Sequence, residues 1–184
     1  MSKKRQKNGD IIFSDYPDFR PNVTPAEIME EGAFGGTYWR SIKSCVGDKK
    51  VLKNQHKKYP KSWWKGIPED HLTREWEDYD KDINKYGVKV GQTYEAWCKS
   101  GWIHESAPYG WYNFYCNFYK GIRTEDDERQ IKRWQGVRAR FGNRLINMLK
   151  KKGKTAKDVG DVSPKIAQTL LHWGIEIKSH HLRD

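Results

Sequence analysis

The chain has 184 residues, enough for one domain, and sets 35 Lys and Arg against 24 Asp and Glu for a formal net charge of +11. That balance points to polyanionic partners, and the lack of any run of about 18 apolar residues excludes a membrane-spanning helix. Leu, Ile, Val and Phe make up only 34 residues, but nine Trp and ten Tyr are present, so a folded core built from large rings is expected rather than a disordered chain.

Residues 1–10, MSKKRQKNGD, are basic and lead into no apolar stretch of the secretory kind, so they read as a disordered tail. The globular domain is expected over 11–175, with a second tail over 176–184. The segment DIIFSDYPDFRPNV reads as an extended arm, because the residue before each proline is pushed away from helix. Thr24-Pro25-Ala26-Glu27 predicts a capped helix start, and Gly32 its end. Residues 41–90 mix polarities among scattered turn residues; YPKSWWKGIPED reads as an aromatic loop and YGVKVGQT as a short strand. Thr93 caps YEAWCKS, which Gly101 ends, and Pro108 opens YGWYNFYCNFYKG, closed by Gly121. Thr124, with Asp127 three positions on, starts the longest helical stretch, to about residue 152. Ser163-Pro164 caps KIAQTLLHW, ended by Gly174. The fold class is mainly α with a small β element: a single compact, aromatic-cored domain with basic tails.

Cys45, Cys98 and Cys116 are odd in number and widely spaced. They read as reduced thiols of a cytosolic or nuclear protein, not as a disulfide frame.

In 109–119, Trp111, Phe114, Tyr115, Phe118 and Tyr119 recur at spacings of three and four, on one helical face. Such a face is either a base-stacking platform or core, and with aliphatic residues scarce it reads as core. Trp63 and Trp64, among Lys57, Lys58, Lys61 and Lys65, are the better stacking candidates.

From Arg129 to Lys157 there is no Asp or Glu. At about 100° per residue, Arg129, Lys132, Arg133, Arg140, Arg144, Lys150 and Lys151 fall on one face of the helix. Ile131, Trp134, Val137, Phe141, Leu145, Met148 and Leu149 fall opposite. Arginine forks and lysine point charges suit phosphates, so this face is the predicted nucleic-acid contact, provided Gly136 and Gly142 do not break the helix.

Glu125, Asp126, Asp127 and Glu128 precede the basic run. Acids in a helix's first turn complement its dipole. Beside a phosphate-binding face, Asp126, Asp127 or Glu128 would instead be the candidate general base or Mg2+ ligand of a nuclease or glycosylase. No other cofactor is implied. The histidines lack metal-ligand spacing, and His180-His181 falls in the tail, so no metal site is expected. The glycine cluster GAFGGTYWR (32–40) is neither GxxxxGK[ST] nor a GxGxxG following a strand. It reads as a structural turn, with Arg40 left over as an anion contact.

Taken as a set, YPDFRPNVTPAEI…GAFGGTYWR, YGVKVGQTYEAWCKSGWI, PYGWYNFYCNFYKGIRTEDDERQIKRW and SPKIAQTLLHWG resemble a family of small hypothetical proteins of large DNA viruses, bacteriophages, algae and fungi, over roughly residues 11–175. The resemblance implies a self-contained domain carried by DNA genomes and no catalytic residues. The expected function is nucleic-acid binding, of DNA in the first instance, in an intracellular protein with no membrane partner. A nucleic-acid-processing enzyme and a protein-interaction or virion structural module are the alternatives.

Overall fold

A computed structural model describes residues 2–183. Lys3–Arg5 (β1) pairs antiparallel with Ile11–Phe13 (β2), with Arg5 opposite Ile11. Alternation puts Ile11 and Phe13 inward, both buried, while the Arg5 guanidinium donates to the Glu27 carboxylate and the Asn22 carbonyl. The expectation of a disordered tail over 1–10 is thus corrected for Lys3–Arg5: the segment is too polar to fold alone, but β2 supplies the hydrogen-bonding edge it lacks. The C-terminal segment is docked too. Asn22 exchanges two hydrogen bonds with the Glu176 backbone, at 2.7 Å each, and Ile177 is buried.

The helices follow the capping signals. Pro25–Glu31 (α1) carries the complete capping box between Thr24 and Glu27. Tyr94–Lys99 (α2) is capped by Thr93, and after one turn of helix at Val159–Val162 (α6) Ser163 caps Pro164–His172 (α7). Trp111–Tyr119 (α3) starts later than expected, after a turn over 108–110. It is the central element: Trp111, Tyr112, Phe114, Tyr115 and Phe118 are all buried on one broad face, and Asn113 and Cys116 are buried on the other. Tyrosines can serve as core because their hydroxyls find backbone acceptors. Tyr38 donates to the Tyr109 carbonyl, Tyr112 to Pro25 and Tyr115 to Val23, at 2.6–2.8 Å. Phe19 lies among these rings, edge-on to Trp134 at 5.1 Å and to Phe118 at 5.3 Å.

Ile42–Lys43 (β3) and Val51–Leu52 (β4) form a second short ribbon, and 3-10 turns fill most of the loop to Ile83. The expected strand in YGVKVGQT does not form; the Tyr86 amide donates instead to the Gln168 side chain, and the Val88 carbonyl accepts from Asn84. The glycine cluster is a packing turn, as expected. The Tyr79 ring sits where a side chain on Gly35 would be, and Phe34 itself is held at φ 60°, where only glycine is comfortable.

Cys45 and Cys98 form a disulfide, with Cα atoms 6.2 Å apart. This corrects the expectation of three reduced thiols: 53 residues separate the pair in sequence, and only the docking of α2 against the β3–β4 ribbon brings them together. Cys116 is free and buried in α3, and burial pushes its thiol well up, so it is unreactive at neutral pH. Among the described residues no helix is long and apolar enough to cross a membrane.

Candidate nucleic-acid interface

The long helix predicted from Thr124 exists, with a change of pitch. Asp127–Val137 (α4) runs into a π-helical turn at Arg138–Gly142 and on into Asn143–Lys151 (α5). The Arg138 side chain crosses this turn over Gly142: a Cβ there would lie 2.5 Å from Arg138 Nη1, so a larger residue would make the guanidinium shift. A π turn takes in one extra residue, which turns the downstream phase back by about 100°. The burial pattern records the shift. In α5 the inward residues are Leu145, Ile146 and Leu149, not the Leu145, Met148, Leu149 set of an unbroken helix.

The same shift redistributes the cations. Relative to Arg129, Lys132, Arg144 and Lys151 come to lie about 40–60° to one side, while Lys150 turns to about 160°. Lys132, Arg140, Arg144, Lys150 and Lys151 are all exposed. Among the described residues, none of Lys132, Arg140, Arg144 and Lys151 makes an ion pair.

The other predicted site residues separate by environment. Arg129 forks onto Asp126 at 2.6 and 3.0 Å, so its charge is internally matched. Asp127 is buried and accepts from the Thr124 amide and hydroxyl; burial raises its pKa, partly offset by these bonds. Of the three acids considered as catalytic, only Glu128 is exposed. Arg40 is not on the surface with the others. It is 9% exposed, donates to the Thr37 carbonyl and lies 5.4 Å over Trp76, and burial lowers its pKa. Trp63 and Trp64 are half-buried: Trp63 stacks on Tyr59 at 5.5 Å, and Trp64 donates its Nε1 hydrogen to the Tyr59 carbonyl.

Alongside the basic helix lies a cleft of about 600 Å3 that sequence reasoning did not find. Trp97, Trp102, Trp111 and Trp173 line it with Arg133 and Arg140, and none of the described acidic side chains does. Arg133 is half-buried between Trp102 and Trp173, its guanidinium 5.1 and 5.3 Å from the two rings, and it donates to Gln130 Oε1. Burial, then repulsion from Arg129, pushes its pKa down to about 10, so it remains charged at neutral pH. His172 also lines the cleft. Its Nε2 accepts from the Phe34 amide at 3.3 Å and faces Gln168 Nε2 at 3.1 Å, whose side chain also donates to the Gly32 carbonyl. That network places the imidazole proton on Nδ1. Burial pushes the His172 pKa down to about 3. The tryptophans are scattered from 97 to 173, so no local periodicity reveals that they meet.

One metal-capable cluster occurs among the described residues, joining the two ends of the chain: Asp10, His180 and His181, with ligand atoms within 4.8 Å of one another. His181 Nδ1 already accepts from the Lys178 amide at 2.8 Å. Burial, His180, Arg138 and Lys178 together push His181 down to about 4, so the surroundings that keep it neutral also disfavour a dication.

Comparison with known proteins finds no matching family model, no matching curated protein and no matching solved structure.

Proposed function

We propose that this protein binds nucleic acid, DNA in the first instance, by laying the phosphate backbone along the α4–α5 face. The observation that carries the reading is the exposed row Lys132, Arg140, Arg144 and Lys151, none of them matched by a carboxylate among the described residues. A self-repelling row of one sign is stabilised when phosphates replace condensed counter-ions. The motif resemblance to small proteins of DNA genomes agrees with it. Asp126 is tied to Arg129 and Asp127 to Thr124, which leaves only the exposed Glu128 of the three acids for strand cleavage.

A gel-shift titration against single- and double-stranded DNA and RNA tests the reading, at several salt concentrations and with Mg2+ in half the lanes. The affinity is expected to fall with salt at a log–log slope of about −0.7 to −0.9 per phosphate neutralised, with the probe intact. Arg140→Glu with Arg144→Glu should remove about two phosphates from that slope. Unchanged affinity in the double variant, or no shift at low salt, would refute the phosphate contact; a cut probe would favour the enzyme.

A further inference from the structure

We infer that the cleft beside the basic helix takes one unpaired nucleotide of the bound strand, its base among the tryptophans and its phosphate on Arg133 and Arg140. This rests on the nucleic-acid reading above and identifies the form of nucleic acid.

The first ground is the electrostatic state of Arg133. Its guanidinium is drawn between two indoles, away from water, and the nearby carboxylate of Asp126 is already forked onto Arg129. A cation withdrawn from solvent without a counter-charge is unfavourable on its own, so an arriving anion recovers what folding leaves unmatched. Arg140, exposed on the π turn, lines the same cleft and adds a second cation.

The second ground is what remains for a ligand to meet. The hydroxyls of Tyr38, Tyr112 and Thr169 are spent on the carbonyls of Tyr109, Pro25 and Lys165. Aromatic rings, indole N–H edges, the Gln92 side-chain amide and the His172 Nδ1–H donor are left. A planar ring with an acceptor on its edge and a phosphate attached matches that set. The volume lies within the roughly 300–1,000 Å3 range of small-ligand sites. A base inside a duplex is stacked and cannot enter; an unpaired or extruded one can, and each base–aromatic contact stabilises it.

The third ground is backbone strain beside the cleft. Phe34 lines it, holds φ 60° without being glycine, and is fixed there by its stack on His172. Non-glycine residues in this region persist where the surroundings impose them, commonly at binding sites.

Gly136 provides the test. It lines the cleft on α4, its conformation is helical, and a Cβ there would meet open space. Gly136→Leu therefore plugs the cleft while favouring the helix and leaving the exposed cation row in place. The full chain, as wild type, Gly136→Leu and Arg133→Gln, is titrated with three duplexes of equal length: fully paired, with one bulged nucleotide, and with the same bulge lacking its base. A free nucleoside monophosphate is the fourth probe. Wild type is expected to prefer the bulged duplex over both others by about tenfold, and both variants to lose that preference. The plugged variant should hold paired duplex as wild type does. Equal wild-type affinity for paired and bulged duplex overturns the cleft inference and leaves the phosphate reading intact. Failure to bind any duplex at low salt overturns both. A free nucleotide that binds with no bulge preference also overturns the inference, because the cleft would then serve a small molecule.

Discussion

The Phe34 ring lies on the His172 imidazole with centroids 4.0 Å apart, while the Phe34 amide donates to Nε2 of the same ring at 3.3 Å. The hydrogen bond needs a neutral histidine: a protonated Nε2 would face the amide N–H and the Gln168 amide as a third donor. Burial accordingly takes His172 from 6.5 down to about 3. The folded pKa is depressed, so below 6.5 the unfolded chain binds a proton that the folded chain does not. Stability is fully present above pH 6.5 and is lost as pH falls from 6.5 toward 3, by up to about 1.4 kcal/mol per unit. His181, pushed down to about 4, acts with the same sign. Denaturant unfolding at pH 7, 6 and 5 should show that slope, and His172→Gln should flatten it.

Two glycines on the long helix meet different surroundings and should respond differently to the same substitution. Gly136→Ala meets open space and should stabilise the fold by about 1 kcal/mol through helix preference. Gly142→Ala would place a methyl 2.5 Å from Arg138 Nη1, the far end of a flexible side chain that can swing aside, and Gly142 is already helical, so the change should cost less than about 1 kcal/mol while displacing the guanidinium. Midpoints of urea unfolding for the pair give the comparison, and a loss above about 1 kcal/mol in Gly142→Ala would mean that Arg138 cannot move aside.

The Cys45–Cys98 bond closes 53 residues of chain and anchors α2, next to Trp97 and Trp102 of the cleft. Replacing both cysteines by serine should lower stability by about 4 kcal/mol on the chain-entropy account. Calorimetry of wild type with and without reductant, beside the double variant, measures it. Reductant should move the wild type to the variant's melting temperature and leave the variant unmoved.

Asp126 and Asp127 are structural acids. Asp126→Ala strands the half-exposed Arg129, and Asp127→Ala removes the acceptor for the Thr124 amide and hydroxyl. Each should cost about 1–2 kcal/mol of stability. Neither should alter the integrity of a DNA probe incubated with Mg2+, and loss of a cleavage activity in either variant would reinstate the enzyme reading.

Much of this protein is written locally. Capping residues set the starts of α1, α2 and α7 because an N-cap bond spans only three residues, and Thr24, Thr93 and Ser163 carry theirs regardless of what packs above them. The Trp111–Tyr119 stripe implied an aromatic core, and the uninterrupted cations after Arg129 implied an exposed basic helix, since both follow from composition and period alone. Tertiary structure decided the rest, because it rests on encounters between distant segments. The basic N-terminus became a strand only against β2, and Arg40 went inside only because Trp76 folds over it. The phase of α5 was set by the π turn at Arg138–Gly142. Four tryptophans spread from 97 to 173 became one cleft, with Arg133 left charged between two of them, because α4, α7 and the segment after α2 converge there. Short-range hydrogen bonds and periodic burial are properties of a segment, whereas a cavity and an unmatched buried charge exist only where segments meet.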